Sequence, residues 1–94
     1  MKTNYLVKVV INFEGKNVPF KSQMMNIVST NDLGAVAAVN IDAVMTSLDN
    51  GRLSWKSDNV AVVENKTAKV TIEFETLAVN GVPVEILELL SALG

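Results

Sequence analysis

The side chains that could do acid–base chemistry in this sequence are carboxylates and amines. The chain has no His and no Cys, which excludes a His-based triad, a thiolate nucleophile and a zinc site built on these ligands. Glu73 and Glu75 stand two residues apart in an alternating segment, so a strand would hold them on one face about 7 Å apart. Such a separation suits the carboxylate pair of an inverting glycosidase. No aromatic platform for a sugar surrounds them, and we interpret them as the solvated face of a sheet.

Glycine-rich phosphate loops and acidic metal-binding loops are also missing. The one Gly-Lys pair, Gly15-Lys16, is followed by Asn17 and lies between two extended segments, where a turn is the better interpretation. Asp42, Asp49 and Asp58 lack the spacing of a calcium-binding loop. We therefore expect no cofactor and no metal ion.

Length and composition favour one small domain over residues 1–94. A chain of 94 residues rarely supports two cores, and 49% hydrophobic with 19% charged residues is ordinary for a folded protein. Eight basic and ten acidic residues give a net charge of −2, which argues against a strongly cationic nucleic-acid binder.

The N-terminal segment does not read as a targeting signal. Lys8 and Asn12 interrupt its apolar residues and no small-residue cleavage site follows. No stretch approaches the ~18 apolar residues of a membrane span, so we expect a cytoplasmic protein without membrane contact. Ten Asn residues are compatible with an AT-rich coding genome, such as that of a phage or a low-GC bacterium.

Period-two alternation indicates strands both before and after a central helical segment. Residues 5–13 have one fully apolar side, a turn follows at 14–17, and residues 18–28 form a second extended run. Further strands are expected at 53–57, 60–63 and 68–79. Asn80-Gly81 is a strong hairpin signal that would fold residues 82–84 back as a short strand.

Apolar residues at spacings of three and four predict a helix of about 17 residues after Asp32. Asn40 interrupts this stripe. The opposite side is also nearly apolar, with Ala35, Ala38, Val39 and Ala43, so we expect it to be covered by the C-terminal segment or by another protein. That segment, residues 85–94, is a second short helix whose apolar face is Ile86, Leu89, Leu90 and Leu93. An isolated helix this short is marginal in water, so it must dock on its own sheet or on a partner.

Together these elements predict the α+β class: an antiparallel β-sheet in β-β-α-β-β order, with one central α-helix packed on one face and a short C-terminal helix. Met24 and Met25 are adjacent on the second strand, so one of them must point away from the core. Trp55 is either a core anchor or a binding hot spot. The candidate interface residues are Met25, Ala38, Val39, Trp55, Ile86, Leu89, Leu90 and Leu93.

The favoured hypothesis is a small non-enzymatic accessory protein that binds other proteins and self-associates as a homodimer. A phage- or mobile-element-encoded protein that binds a host protein would fit this description. Two alternatives stay open. One is a nucleic-acid-binding module that uses Lys16, Lys21, Arg52 and Lys56 around the hairpin ends. The other is an enzyme or small-ligand binder that uses Lys and the carboxylates of Glu64, Glu73 or Glu75.

Overall fold

The computed structural model describes residues 2–94, which form six strands and two helices. In chain order they are β1 (Tyr5–Gly15), β2 (Lys21–Thr30), α1 (Leu33–Ser47), β3 (Arg52–Ser57), β4 (Val60–Glu64), β5 (Ala68–Val79), β6 (Val82–Pro83) and α2 (Val84–Leu93). The α+β class and the antiparallel sheet are confirmed. The β-β-α-β-β order was too short, because four strands, not two, follow α1.

One antiparallel sheet contains all the strands, with β2-β1-β5-β4-β3 as its order across. The longest ladder joins β1 to β5, from Tyr5 opposite Val79 to Gly15 opposite Ala68. The short β6 pairs with the last two residues of β5. Along the five-strand path, β2 and β3 are the two edge strands.

Alternation along the strands builds the core against one face of this sheet. Val7, Val9 and Ile11 of β1 are buried on that face, as the apolar side of residues 5–13 predicts. Matching residues of β4 and β5 and one residue of α1 complete the cluster: Ala61, Val63, Val70, Ile72 and Val44. α1 runs across the sheet between its two edges and packs over β4 and β5.

The ends of α1 have clear local causes. The Asp32 carboxylate accepts a hydrogen bond from the backbone N–H of Ala35 at 3.1 Å, which caps the first turn. The helix stops before Asn50, which adopts a left-handed backbone with φ of 55°. Asn40 donates its side-chain N–H to the carbonyl of Val36 at 2.8 Å. The polar residue in the apolar stripe is thus satisfied within its own helix.

Two turns depend on particular residues. A side chain at Gly15 would meet a Val18 methyl at 2.8 Å, so only glycine lets the β1–β2 connection come this close. The connection continues through Pro19, and β2 begins at Lys21, not at Val18 as the apolar run suggested. At the other hairpin Asn80 and Gly81 take φ of 50° and 80°, as the Asn-Gly pair predicts for a two-residue turn.

The molecule is long for its size. Its principal extents are 50 × 25 × 19 Å and its radius of gyration is 15.6 Å, against about 12 Å for a compact domain of this length. The accessible surface is 6631 Å², roughly a quarter above the ~5300 Å² expected for this mass. An eleven-residue strand spans only about 36 Å, so elements beyond the ends of the sheet account for the remaining length.

Candidate protein-binding surfaces

The C-terminal helix contributes no buried residue to the core. It is held only at its start, where it follows β6 and touches the end of β5. Asn80 ties this corner to the N-terminal segment, since its side-chain oxygen accepts the Asn4 N–H at 2.8 Å and its own N–H donates to the Asn4 carbonyl at 2.7 Å. α2 thus contacts β5 and β6 of its own sheet but buries none of its side chains there.

One face of α2 carries the predicted apolar residues at positions i, i+3, i+4 and i+7. All four are exposed, from Ile86 at 46% to Leu93 at 77%; the other two are Leu89 and Leu90. Leu87 lies beside this face and is also exposed. We call Ile86, Leu89, Leu90 and Leu93 the α2 face. Such spacing is the one with which an amphipathic helix fills an apolar groove on another protein.

A second apolar surface lies along β2. Met25 faces Val10 across the ladder and Met24 faces Ile11, so the two methionines lie on opposite sides of the sheet, as their adjacency predicts. Both are more than half exposed, and so is Ile27, which shares the side of Met25 away from α1. Phe20, just before the strand, is exposed as well.

The outer side of α1 is uncovered in the single chain. Ala38 and Val39 are exposed, the latter at 68%. α2 makes its principal contacts with β5 and β6 and does not lie over α1. Of the two expected coverings, the C-terminal segment is therefore not the one that shields this side.

Trp55 occupies the other edge of the sheet, on β3. It faces the buried Ala61 of β4, on the side of the sheet where α1 packs. Its ring lies 6.5 Å from that of Phe74 at an angle of 31°, yet the residue remains 49% exposed. Trp55 is thus half anchored in the sheet and half open to solvent.

The predicted interface residues do not form one patch. Ile86, Leu89, Leu90 and Leu93 come together on α2, whereas the remaining four are divided among β2, α1 and β3. Sequence analysis missed Phe20 and Ile27, which extend the β2 surface. Their signal was an extended run with apolar residues on both faces, which is typical of an uncovered edge.

Charged residues gather at the opposite end of the sheet from α2. An open groove of about 1100 Å³ lies where the end of α1 meets the β3–β4 edge. Its lining includes Lys16, Arg52, Lys66, Asp49 and Glu64. Lys16 donates to a Glu64 carboxylate oxygen at 2.7 Å, and this hydrogen bond lowers the pKa of Glu64, helped by the charge of Lys16 and more weakly by Lys69 and Lys56.

This groove is where the two alternative functions would have to operate. Of the four cations in the nucleic-acid hypothesis, Lys16 and Arg52 line the groove and Lys21 and Lys56 do not. Two carboxylates share the groove with them. Glu73 and Glu75 do not line it; they are exposed on the sheet, where Glu75 pairs with Lys8 at 3.4 Å. The groove therefore brings one of the three candidate carboxylates to a cluster of cations, and not the pair.

Within residues 2–94, no three metal-ligating side chains converge on a common point. Neither α1 nor α2 has the length and apolar character needed to cross a bilayer. Comparison with known proteins returned no matching family model, no matching curated protein and no matching solved structure.

Proposed function

We propose that this chain is a small non-enzymatic protein that works by binding other protein chains, including a second copy of itself. The observation that carries the proposal is α2, a ten-residue helix without a buried side chain. Helices this short are marginal in water unless an apolar face is covered. A protein that covers the α2 face would supply what the chain itself does not.

Magnitudes indicate that α2 does not act alone in such a contact. Burying the exposed part of four aliphatic side chains gains about 1 kcal/mol each, so the α2 face offers roughly 4 kcal/mol. Association costs an estimated 4–15 kcal/mol in lost rigid-body freedom. A stable complex therefore needs further surface, and β2 offers three apolar side chains that are each more than half exposed: Met24, Met25 and Ile27.

The size and the Asn-rich composition suit an accessory protein encoded by a phage or mobile element and directed at a host protein. In that role a symmetric dimer is the simplest assembly, because an isologous contact closes without leaving a free copy of the interface.

Solution mass tests the proposal directly. Sedimentation equilibrium of the full chain is expected to give about twice the 10.1 kDa of one copy. A 10.1 kDa species at every concentration that also binds no other protein would contradict the proposal. A chain that ends at Glu85 should lose the helical circular dichroism signal of α2 and keep the melting temperature of the sheet, since α2 has no buried residue in the core. Loss of its dimer would assign the copy–copy contact to α2, and retention would place the contact on another surface of the chain.

The cation-bearing groove favours one further candidate, the binding of an anionic ligand such as a nucleic acid. Retention on RNA or DNA that weakens steeply with salt would support it. A variant with Arg52→Glu and Lys66→Glu should then abolish retention, while Met25→Lys should not. Weak binding that is unchanged by the two charge reversals would exclude the groove as a nucleic-acid site.

A further inference from the structure

Strand β2 is an edge without the usual protection against pairing. It has ten residues in unbroken register with β1, from Tyr5 opposite Thr30 to Glu14 opposite Lys21. It contains no Pro, no Gly and no bulge, and its only charge is Lys21 at the first position. Natural edge strands are usually short, bulged, charged or covered, because unpaired backbone groups recruit another strand.

Nothing among residues 2–94 shields this edge. α1 packs over β4 and β5, and β1 separates β5 from β2. Every residue from Lys21 to Ile27 is exposed. Apolar side chains project on both sides, with Met25 and Ile27 away from α1 and Met24 on the other side. An added strand would therefore gain apolar contacts on both faces besides its main-chain hydrogen bonds.

We infer that the occupant of this edge is β2 of a second copy, paired antiparallel across a two-fold axis. Charge is one reason. Antiparallel pairing puts Lys21 of one copy near the far end of its partner's strand, where Asp32 follows. Parallel pairing would instead bring the two Lys16 and Lys21 hairpins together, with like charges adjacent. Two ten-residue strands also form about ten main-chain hydrogen bonds, the number typical of a specific interface.

The two-fold symmetry restricts the register in which the two β2 strands can pair. A two-fold axis that relates neighbouring antiparallel strands is perpendicular to the sheet, so both copies of α1 lie on the same side. Directly opposed residues share a face, which requires one residue near the middle of β2 to face its own counterpart. In the central registers that residue is Met25 or Asn26. The ladders of the two copies then join into one continuous sheet, and each α2 face stays free for a different protein.

Disulfide trapping tests this arrangement. Because the chain has no cysteine, only the introduced cysteines can crosslink. Single substitutions Ser22→Cys, Met25→Cys, Asn26→Cys and Ser29→Cys sample β2, while Ser54→Cys samples the β3 edge and Leu93→Cys samples the α2 face. Under mild oxidation we expect the crosslinked dimer to peak at Met25→Cys or Asn26→Cys. The ends of β2 and the β3 position should crosslink at least tenfold more slowly.

A charge at the centre of the strand provides the second measurement. Met25→Lys places two like charges close together across the axis and should raise the dimer dissociation constant at least tenfold. Ser54→Lys is the matched control, since Ser54 lies on the same side of the sheet at the other edge. It should leave the dissociation constant unchanged.

This interface rests on the proposed self-association. The outcomes of these experiments distinguish a failure of self-association from a failure of its assignment to β2. A full chain that is monomeric at all concentrations contradicts both. A full chain that dimerises while crosslinking peaks at Leu93→Cys, or while Met25→Lys and Ser54→Lys act alike, contradicts only the assignment to β2.

Discussion

The two edge strands β2 and β3 both have unpaired backbone groups, but they differ in the features that prevent another strand from pairing with them. β3 is short, at six residues, has a register shift between Trp55 and Ser57, and carries Arg52 and Lys56. β2 is ten residues long, regular and nearly uncharged. Both strands expose unpaired backbone, but only β3 has the charges and the bulge that discourage a new neighbour. β3 therefore has features that end a sheet, whereas β2 has the regularity that the proposed pairing with a second copy requires.

Trp55→Ala should produce the largest change in monomer stability. Half of this side chain is sheltered against Phe74 and β4, so its loss is expected to lower the free energy of unfolding by about 2 kcal/mol. Met25→Ala, at the opposite edge, should change it by less than about 1 kcal/mol, because Met25 is mostly solvated in one copy. Urea titrations of dilute protein measure both. Equal losses of unfolding free energy would contradict the conclusion that Trp55 packs on the sheet while Met25 does not.

Hydrogen exchange sharpens the comparison between the edges in the unmodified chain. Amides of β2 that point away from β1 should exchange quickly in dilute solution. When the protein concentration exceeds the dissociation constant of the dimer about tenfold, their protection should rise about tenfold. Outward amides of β3 serve as the internal reference and should not respond to concentration. A rise at β3 alone would reverse the assignment of the two edges.

Asn59→Ala removes a polar clamp at the tip of the β3–β4 hairpin. The Asn59 amide donates to the Phe74 carbonyl at 3.1 Å and accepts from the Ser57 hydroxyl at 2.8 Å. Its loss should lower the free energy of unfolding by about 1 kcal/mol. Gln23→Ala breaks a side-chain hydrogen bond to Asn12 on the β2 side. Because this bond joins two solvated side chains, its removal should cost less than about 0.5 kcal/mol in the same denaturation assay.

The smallest effect is expected from the ion pair beside β3. The Lys16 hydrogen bond holds the pKa of Glu64 below its ordinary value of 4.5. A lowered carboxyl pKa stabilises the folded state above the unfolded-state pKa, and this contribution disappears as the pH falls through the folded-state pKa. An NMR titration of the Glu64 carboxyl carbon should therefore have its midpoint below 4.5. Lys16→Met should move the midpoint upward and Lys8→Met should not.

Sequence patterns predicted the elements best where one face is buried and the other wet. The strand over residues 68–79 was placed correctly at both ends, because Val70 and Ile72 alternate with polar neighbours. The run from Val18 was misplaced by three residues at its start and two at its end. There Val18 and Phe20 are apolar but lie in the hairpin connection, so hydrophobicity no longer marks a strand.

The candidate surfaces were predictable only in part. Periodicity places Leu89 and Leu90 on one face of α2, but spacing within a helix does not say which other element, if any, lies against it. The sequence therefore predicted that the four α2 residues share one face, but it did not predict that this face is exposed. Ile27 was missed because alternation identifies strands with one buried face. An exposed edge strand such as β2 has apolar residues on both faces, so alternation does not mark its exposed residues.

The separation of α2 from the core has a consequence for how such a protein can change. Since residues 85–93 are all exposed, they are free of the packing constraints that limit substitution at Ile72 or Val63. New specificities can arise there through several mutations at once without weakening the scaffold. Grafting an unrelated ten-residue recognition helix after Pro83 should accordingly preserve the melting temperature of the sheet.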